Sequence, residues 1–395
     1  MYLTSFIHRE PLFDISERWF CSRPEPGDAR SITEILICDG FVIQETLEVL
    51  TGRLIEATHR RRFKRRSIRL KGELRDMICR DDRDRNARVA ELIEQYRENP
   101  DYFFREAPIN AVVCLDEQDH LLGLYRIKRP KRIAEKANRR IADWIFENVL
   151  GRAQEMARER ARLSGVPLDR FVTPAEEMVK EFIRAEELIA ASFRDRSIRF
   201  DRAAMTIHDL GAIKIVANMD ELRHLEETLI ETPDIRIIER EDFRGAYQAT
   251  NLILEVPWDA AYVCRRYAET RGWEKYLDRG IPEEGLKKGL APLLANAEPR
   301  INIEVILTTV PDMIESELGN SIHEERIIAQ RDNKRYKGYI PTNVELLVES
   351  LFAVGFSPRT DIDRVPIKLW GRYLPETLGS YVRRLHNLPE YDLIN

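Results

Sequence analysis

Apolar residues recur at helical spacing over residues 31–55, at Ile32, Ile35, Leu36, Phe41, Val42, Leu47, Leu50 and Leu54, and predict two helical pieces divided at Asp39-Gly40. Ahead of them the first thirty residues, with Pro24, Pro26 and Gly27, predict an irregular arm. Helix is expected again over residues 72–96, ending near Asn99-Pro100. Two β-rich runs, residues 109–115 and 121–127, flank a turn at 116–120 and predict a hairpin. A long charged helix should follow from Pro130 to Leu163 and stop at Ser164-Gly165-Val166-Pro167. The next begins at Thr173-Pro174, with Thr173 as cap and Pro174 in the first turn, and runs to about Phe193.

Past residue 205 the pattern changes. Strands are predicted at residues 205–216, 235–239, 247–256 and 301–308, with helices at 219–229, 259–297, 311–333 and 342–354. The tail scatters Pro358, Pro366, Pro375 and Pro389 around a short helix at 378–386. Strands and helices interleaved behind a mostly helical first part predict an α/β (α+β) fold, a mixed sheet flanked by helices. The expected organisation is a mostly helical domain at 1–165, a sheet domain at 166–340 with a helical insertion at 258–299, and a helical tail at 341–395.

Composition narrows the class. A chain of 395 residues with 43% hydrophobic and 33% charged residues is globular and charge-rich. A net charge of -5 argues against nucleic-acid binding along the whole length but leaves local patches open. The five cysteines form no CxxC pair and no zinc spacing, which fits a reducing compartment. Residues 1–9 carry no secretory pattern, and no apolar stretch approaches the ~20 residues of a membrane span. The expectation is a cytoplasmic protein without a membrane partner.

The segment Ile207-His208-Asp209-Leu210-Gly211-Ala212-Ile213-Lys214-Ile215-Val216 brings a carboxylate to the mouth of a strand. Small residues there would let a nucleotide approach the backbone, and Asp209 could hold a hard divalent cation, or could simply end a strand or cap a helix. Glu304 stands between Ile303 and Val305 in an apolar strand, where a lone carboxylate costs several kcal/mol, so it needs a metal, an arginine or backbone donors. Two basic runs carry no acid or few: Arg60, Arg61, Arg62, Lys64, Arg65, Arg66, Arg69 and Lys71, then Arg126, Lys128, Arg129, Lys131, Arg132, Lys136, Arg139 and Arg140. They read either as solvated faces or as sites for RNA or a polyphosphate nucleotide.

Residues 205–337 resemble the synthetase domain of the RelA/SpoT nucleotidyltransferase family. The 207–215 segment is similar to its I-x-D-L-A-G-I-R-I stretch, with Lys214 at the arginine; Gly245 to Asn251 resembles N-G-Y-x-S-x-H, and Ile303 to Thr309 resembles V-E-I-Q-I-R-T. The resemblance implies a magnesium site at Asp209 and Glu304, base stacking on Tyr247, and nucleotide contacts from Lys214 and His323. It also implies phosphate-binding charge near Arg194, Arg199 and Arg202. This sequence departs from the family at Ala246, Ala249, Asn251, Ile306 and Thr308, and no counterpart of the G-R-x-K-S phosphate loop is evident just before the first strand. The expectation is therefore a protein that binds a nucleoside triphosphate with magnesium and transfers pyrophosphate weakly or not at all. The alternatives are an active transferase and a non-catalytic RNA- or protein-binding module.

Overall fold

In the computed structural model the polar–apolar alternation of the strands builds a seven-stranded sheet, beside a two-stranded one of residues 2–3 and 206–207. The structure describes the chain except residues 168–169, 171–172, 320–323, 326–327, 330–337, 366, 375–376, 378–379, 381–382 and 385–395. In chain order the elements are β1 (Tyr2–Leu3), α1 (Arg9–Phe20), α2 (Asp28–His59), β2 (Lys64–Leu70), α3 (Lys71–Ile78), α4 (Ala87–Glu98), β3 (Pro108–Leu115) and β4 (Leu121–Ile127). There follow α5 (Pro130–Ser164), α6 (Ala175–Arg194), β5 (Thr206–Ile207), β6 (Gly211–Val216), α7 (Met219–Glu231), β7 (Arg236–Arg244) and β8 (Gln248–Pro257). The last are α8 (Ala260–Glu269), α9 (Glu283–Lys287), β9 (Arg300–Thr308), α10 (Val310–Leu318) and the helix Tyr339–Gly355, here α11.

The strand order is β2-β3-β4-β6-β9-β8-β7. All neighbours run antiparallel except β6 and β9, which are parallel with Ala212 opposite Glu304. The mixed sheet flanked by helices is the fold class expected. Its strands come from both sides of residue 165, because β4 hydrogen-bonds β6 from Gly123–Ile215 to Ile127–Gly211. The first part gives three strands to the common sheet: β3 and β4 are the expected hairpin, and β2, which takes Lys64, Arg65, Arg66 and Arg69 of the first basic run, was not foreseen as a strand.

Period-two alternation separates the two faces. Ile213, Ile215, Leu252, Leu254, Ile303, Val305 and Leu307 join a core with Phe41, Val42, Ile43 and Leu47 of α2. On the other face, α3, α4 and α10 cover the β2–β3–β4 end through Leu74, Leu92, Val113, Leu124 and Ile314. The remaining strands on that face border an open cleft.

Several boundaries differ from the sequence reading. Asp39-Gly40 does not divide α2, which is continuous from Asp28 to His59. Asp39 is instead held by the arm: His8 donates to it from its backbone N at 2.9 Å, and His8 Nδ1 lies 2.6 Å from its other oxygen. Helix over 72–96 is broken into α3 and α4, the second capped by Asn86, which accepts from the Val89 N–H at 2.9 Å. The 259–297 segment is not one helix but short pieces interrupted at Gly280 and Gly289, both at positive φ. Among the described residues no helix is long and apolar enough to cross a membrane, and all five cysteines are free thiols.

Candidate functional site

Asp209, just ahead of β6, and Glu304, within β9, are brought side by side because these two strands are parallel neighbours. Alternation turns Ile303 and Val305 into the core and Glu304 into the cleft. Lys128, the first residue after β4, donates to Asp209 Oδ2 at 2.5 Å and to Glu304 Oε2 at 3.0 Å. Lys136 of α5 also donates to Asp209 Oδ2. Asn251 of β8 donates through Nδ2 to Glu304 Oε1 at 3.3 Å, while its Oδ1 is buried and accepts nothing from the described residues.

Burial by itself would raise the Asp209 carboxyl, but Lys128 and Lys136 outweigh it and hold the group well below the usual carboxylate range. Burial lowers Lys136 and Arg126. It lowers Lys214 to about 8, with Lys71 and Arg126 adding to the fall against Glu317 and Glu304. Neither Arg126 nor Lys214 forms an ion pair with the described residues; Lys214 Nζ points at Met313 Sδ, 3.4 Å away. His208 is lowered first by burial and then by Arg140. Its Nδ1 lies 3.1 Å from Thr4 Oγ1 and 3.0 Å from Asn302 Nδ2.

The cleft encloses about 510 Å³. Its cationic wall includes Arg126, Lys128, Arg129, Arg132, Lys136 and Lys214, and its far end carries Tyr247, Phe243, Glu239 and Glu241. The Tyr247 and Phe243 rings are nearly parallel, 6.4 Å apart at 16°. Tyr247 sits in the turn before β8 and not within the strand.

Of the residues singled out in the sequence, Asp209, Glu304, Tyr247, Lys214, Arg129 and Arg132 line this one cleft. Arg194, Arg199 and Arg202 do not: all three are exposed, and Arg202 pairs with Glu10 and with Asp14 of α1. Arg194 ends α6 and the other two follow it, and the packing of α6 on α5 carries them to the arm side of the molecule. His323 lies outside the described residues. Arg60, Arg61, Arg62, Lys64, Arg65 and Arg66 lie on and before edge strand β2, exposed, with Lys64 bound to Asp119 and Arg65 near Glu48. Lys64 pairs with Leu115 at the hairpin end of β3, so the start of the first run lies away from the cleft, whereas its last member, Lys71, lines the cleft with the second run.

Sequence reading placed Arg126, Lys128 and Lys136 in a basic run open to RNA or a polyphosphate nucleotide without joining them to Asp209 and Glu304, and took Asn251 only as a departure from the family motif. A signal was present: Arg126-Ile127-Lys128 keeps the R-x-K order of the G-R-x-K-S pattern, but α5 and α6 separate it from β6. Gly211 was also misread. A Cβ there would stand 2.9 Å from Ile303 Cδ1 and 3.3 Å from Ile43 Cγ2, so its smallness serves packing against α2 and β9; Ala212 is the residue that faces the cleft.

The donor set suits a hard cation. Two carboxylates and an amide carbonyl without a donor are the oxygen ligands that magnesium, manganese or calcium take. Two other clusters among the described residues, His8–Cys38–Asp39 and Asp81–Asp82–His120, lie apart from the cleft. Their groups are engaged structurally: His8 Nε2 lies 2.7 Å from the Leu293 carbonyl, and Arg83 binds Asp81 at 2.6 Å.

No protein family matches the chain, and no curated protein does. Among solved structures it is similar to the small alarmone synthetase 1 from Bacillus subtilis, at 12% identity over 53% of this chain and 92% of that one, with a TM-score of 0.21. A likeness of that size leaves the site to stand on its own geometry.

Proposed function

We propose that the cleft binds a nucleoside triphosphate together with a divalent cation. One observation carries this reading: a converged carboxylate pair shares a cleft with two basic side chains, Arg126 and Lys214, that have no carboxylate partner among the described residues. Both are half-buried, their nearest carboxylates, Glu304 and Glu317, are already held by Lys128, Lys71 and Arg75, and a polyphosphate would supply the further negative charge. Asp209, Glu304 and Asn251 Oδ1 would hold the cation, which would supply Lewis-acid screening of phosphate charge. Arg126, Lys136 and Lys214 would bind phosphate oxygens, and Tyr247 with Phe243 would stack on the base.

Transfer to an acceptor is expected to be weak, because Thr308 stands at the strand arginine of the family it resembles. A second reading, a working pyrophosphotransferase, gains support from Arg126, Lys128, Lys136 and Lys214, which supply fixed positive charge of the kind such transfer needs. Calorimetric titration with ATP and GTP, with and without magnesium, tests the first reading, and absence of binding to the folded protein defeats it. Radiolabelled ATP with GDP, GTP, AMP or bulk tRNA as acceptor separates the two, provided Asp209→Asn and Glu304→Gln abolish any transfer seen. The exposed arginines on and just before β2 favour RNA as a further partner; charge reversal at Arg61, Arg62 and Arg66 should then weaken RNA retention and flatten its salt dependence.

A further inference from the structure

Lys128 stands where a cation shared by Asp209 and Glu304 would stand. Its ammonium reaches one oxygen of each carboxylate, 2.5 and 3.0 Å away, and its side chain is only 13% exposed. Asn251 already contacts Glu304, and its carbonyl oxygen is buried and accepts nothing from the described residues. A metal bound at ~2.0–2.1 Å from these oxygens would meet the ammonium head-on in a poorly screened space. Both cannot occupy the carboxylate pair.

We infer that Lys128 is a built-in placeholder for the divalent cation, exchanged for metal only when a polyphosphate arrives to receive the displaced ammonium. This rests on the nucleotide reading above and adds an order to it. A lysine expelled from two carboxylates inside a cleft needs a new counter-charge. The wall it would move along already carries Arg126 and Lys136, so a phosphate bound there would be the nearest acceptor. Lys136 follows the same logic, since it too rests on Asp209. Metal and polyphosphate therefore favour each other's binding, and linkage makes that preference equal in both directions. Metal alone meets an occupied site, and polyphosphate alone meets Lys128 and Lys136 already held by the carboxylates.

The test uses manganese alone, tripolyphosphate and the full chain. Calorimetric titration of manganese without any anion should show weak binding to wild type and binding at least ~5-fold tighter to Lys128→Met, within the ordinary range of coupling. Adding Asn251→Ala to Lys128→Met should reduce that gain. Tripolyphosphate should bind wild type ~5–150-fold more tightly in magnesium than in EDTA, and Lys128→Met should narrow the difference. Equal manganese affinity in wild type and a folded Lys128→Met overturns the exchange. Should that variant not fold, Lys128→Gln, which keeps a hydrogen-bond donor without the charge, takes its place, and no gain in manganese affinity there overturns it equally. If Lys128→Met gains manganese while wild type ignores tripolyphosphate in magnesium, the nucleotide reading fails and the placeholder stands.

Discussion

The Lys128 ammonium lies 2.5 Å from Asp209 Oδ2, across the junction where β4 ends and β6 begins to pair with it. The contact ties the R-x-K segment to the carboxylate pair and makes one charge-balanced cluster from three strands and a helix. Its response to charge removal, pH and truncation follows from that composition.

Asp209 should stabilise the fold in acid. Its carboxyl is held well below the usual range by Lys128 and Lys136, so the folded state keeps its charge at pH values where the unfolded chain has bound a proton. A depressed carboxylate contributes its full stability above its unfolded pKa, ~3.9, and loses it as pH falls further. Wild type should thus exceed Asp209→Asn in thermal midpoint from neutral pH down to about pH 4, with the gap closing only below that. A gap that closes already near pH 6 would show the lysines to be bound elsewhere.

Lys214 gives anion binding a basic limit. Burial brings its ammonium down to about 8 from an ordinary 10.5, and the charged groups around it are Glu317, Lys71, Arg126 and Glu304. Below pH 8 both folded and unfolded chains carry the proton. Between there and the ordinary value only the unfolded chain does, so intrinsic stability rises with pH while the cleft loses a positive charge. Tripolyphosphate affinity should fall as pH rises through and above 8, and Lys214→Arg, which stays charged, should flatten that decline. Parallel pH profiles for both proteins would remove Lys214 from the anion site.

Under the cleft, Glu317 of α10 accepts from Lys71 Nζ at 2.7 and 2.8 Å and from Arg75 Nη2 at 3.2 Å. Arg75 is fully buried and also reaches Glu324 at 2.8 Å. Burial opposes the Glu317 charge, but Lys71, Lys214 and Arg75 hold the carboxyl down at about 2. Removing one partner of such a network strands the others, so Glu317→Leu should cost about 3–5 kcal/mol in urea denaturation. A cost under ~1 kcal/mol would mean that water reaches the pair.

Tyr247 should discriminate nucleotides from bare phosphates. With Phe243 6.4 Å away it presents an aromatic surface at the end of the cleft opposite the lysines. Stacking contributes ~1–3 kcal/mol per base, so Tyr247→Ala should weaken ATP or GTP binding ~5–150-fold and leave tripolyphosphate affinity unchanged. Equal losses for both ligands would point to collapse of the β7–β8 turn.

The sequence by itself determined the local half of this arrangement. Alternation in Ile301 to Thr308 put Glu304 on the face opposite the core, and the order of strands and helices after residue 205 announced a mixed sheet. Asp209, Glu304, Tyr247 and Lys214 were legible because each sits in a short segment with its own periodicity and resemblance. Tertiary structure decided which charges meet them. Residues 126–140 read either as a solvated face or as a site for RNA or a polyphosphate nucleotide, and antiparallel pairing of β4 with β6 is what carries Lys128 and Lys136 onto Asp209. Arg194, Arg199 and Arg202 are nearer in sequence yet turn away, because α6 packs on α5. The reason is physical: side-chain alternation is set within a strand, residue by residue, whereas the pairing of distant strands is settled by burying both faces of one sheet at once.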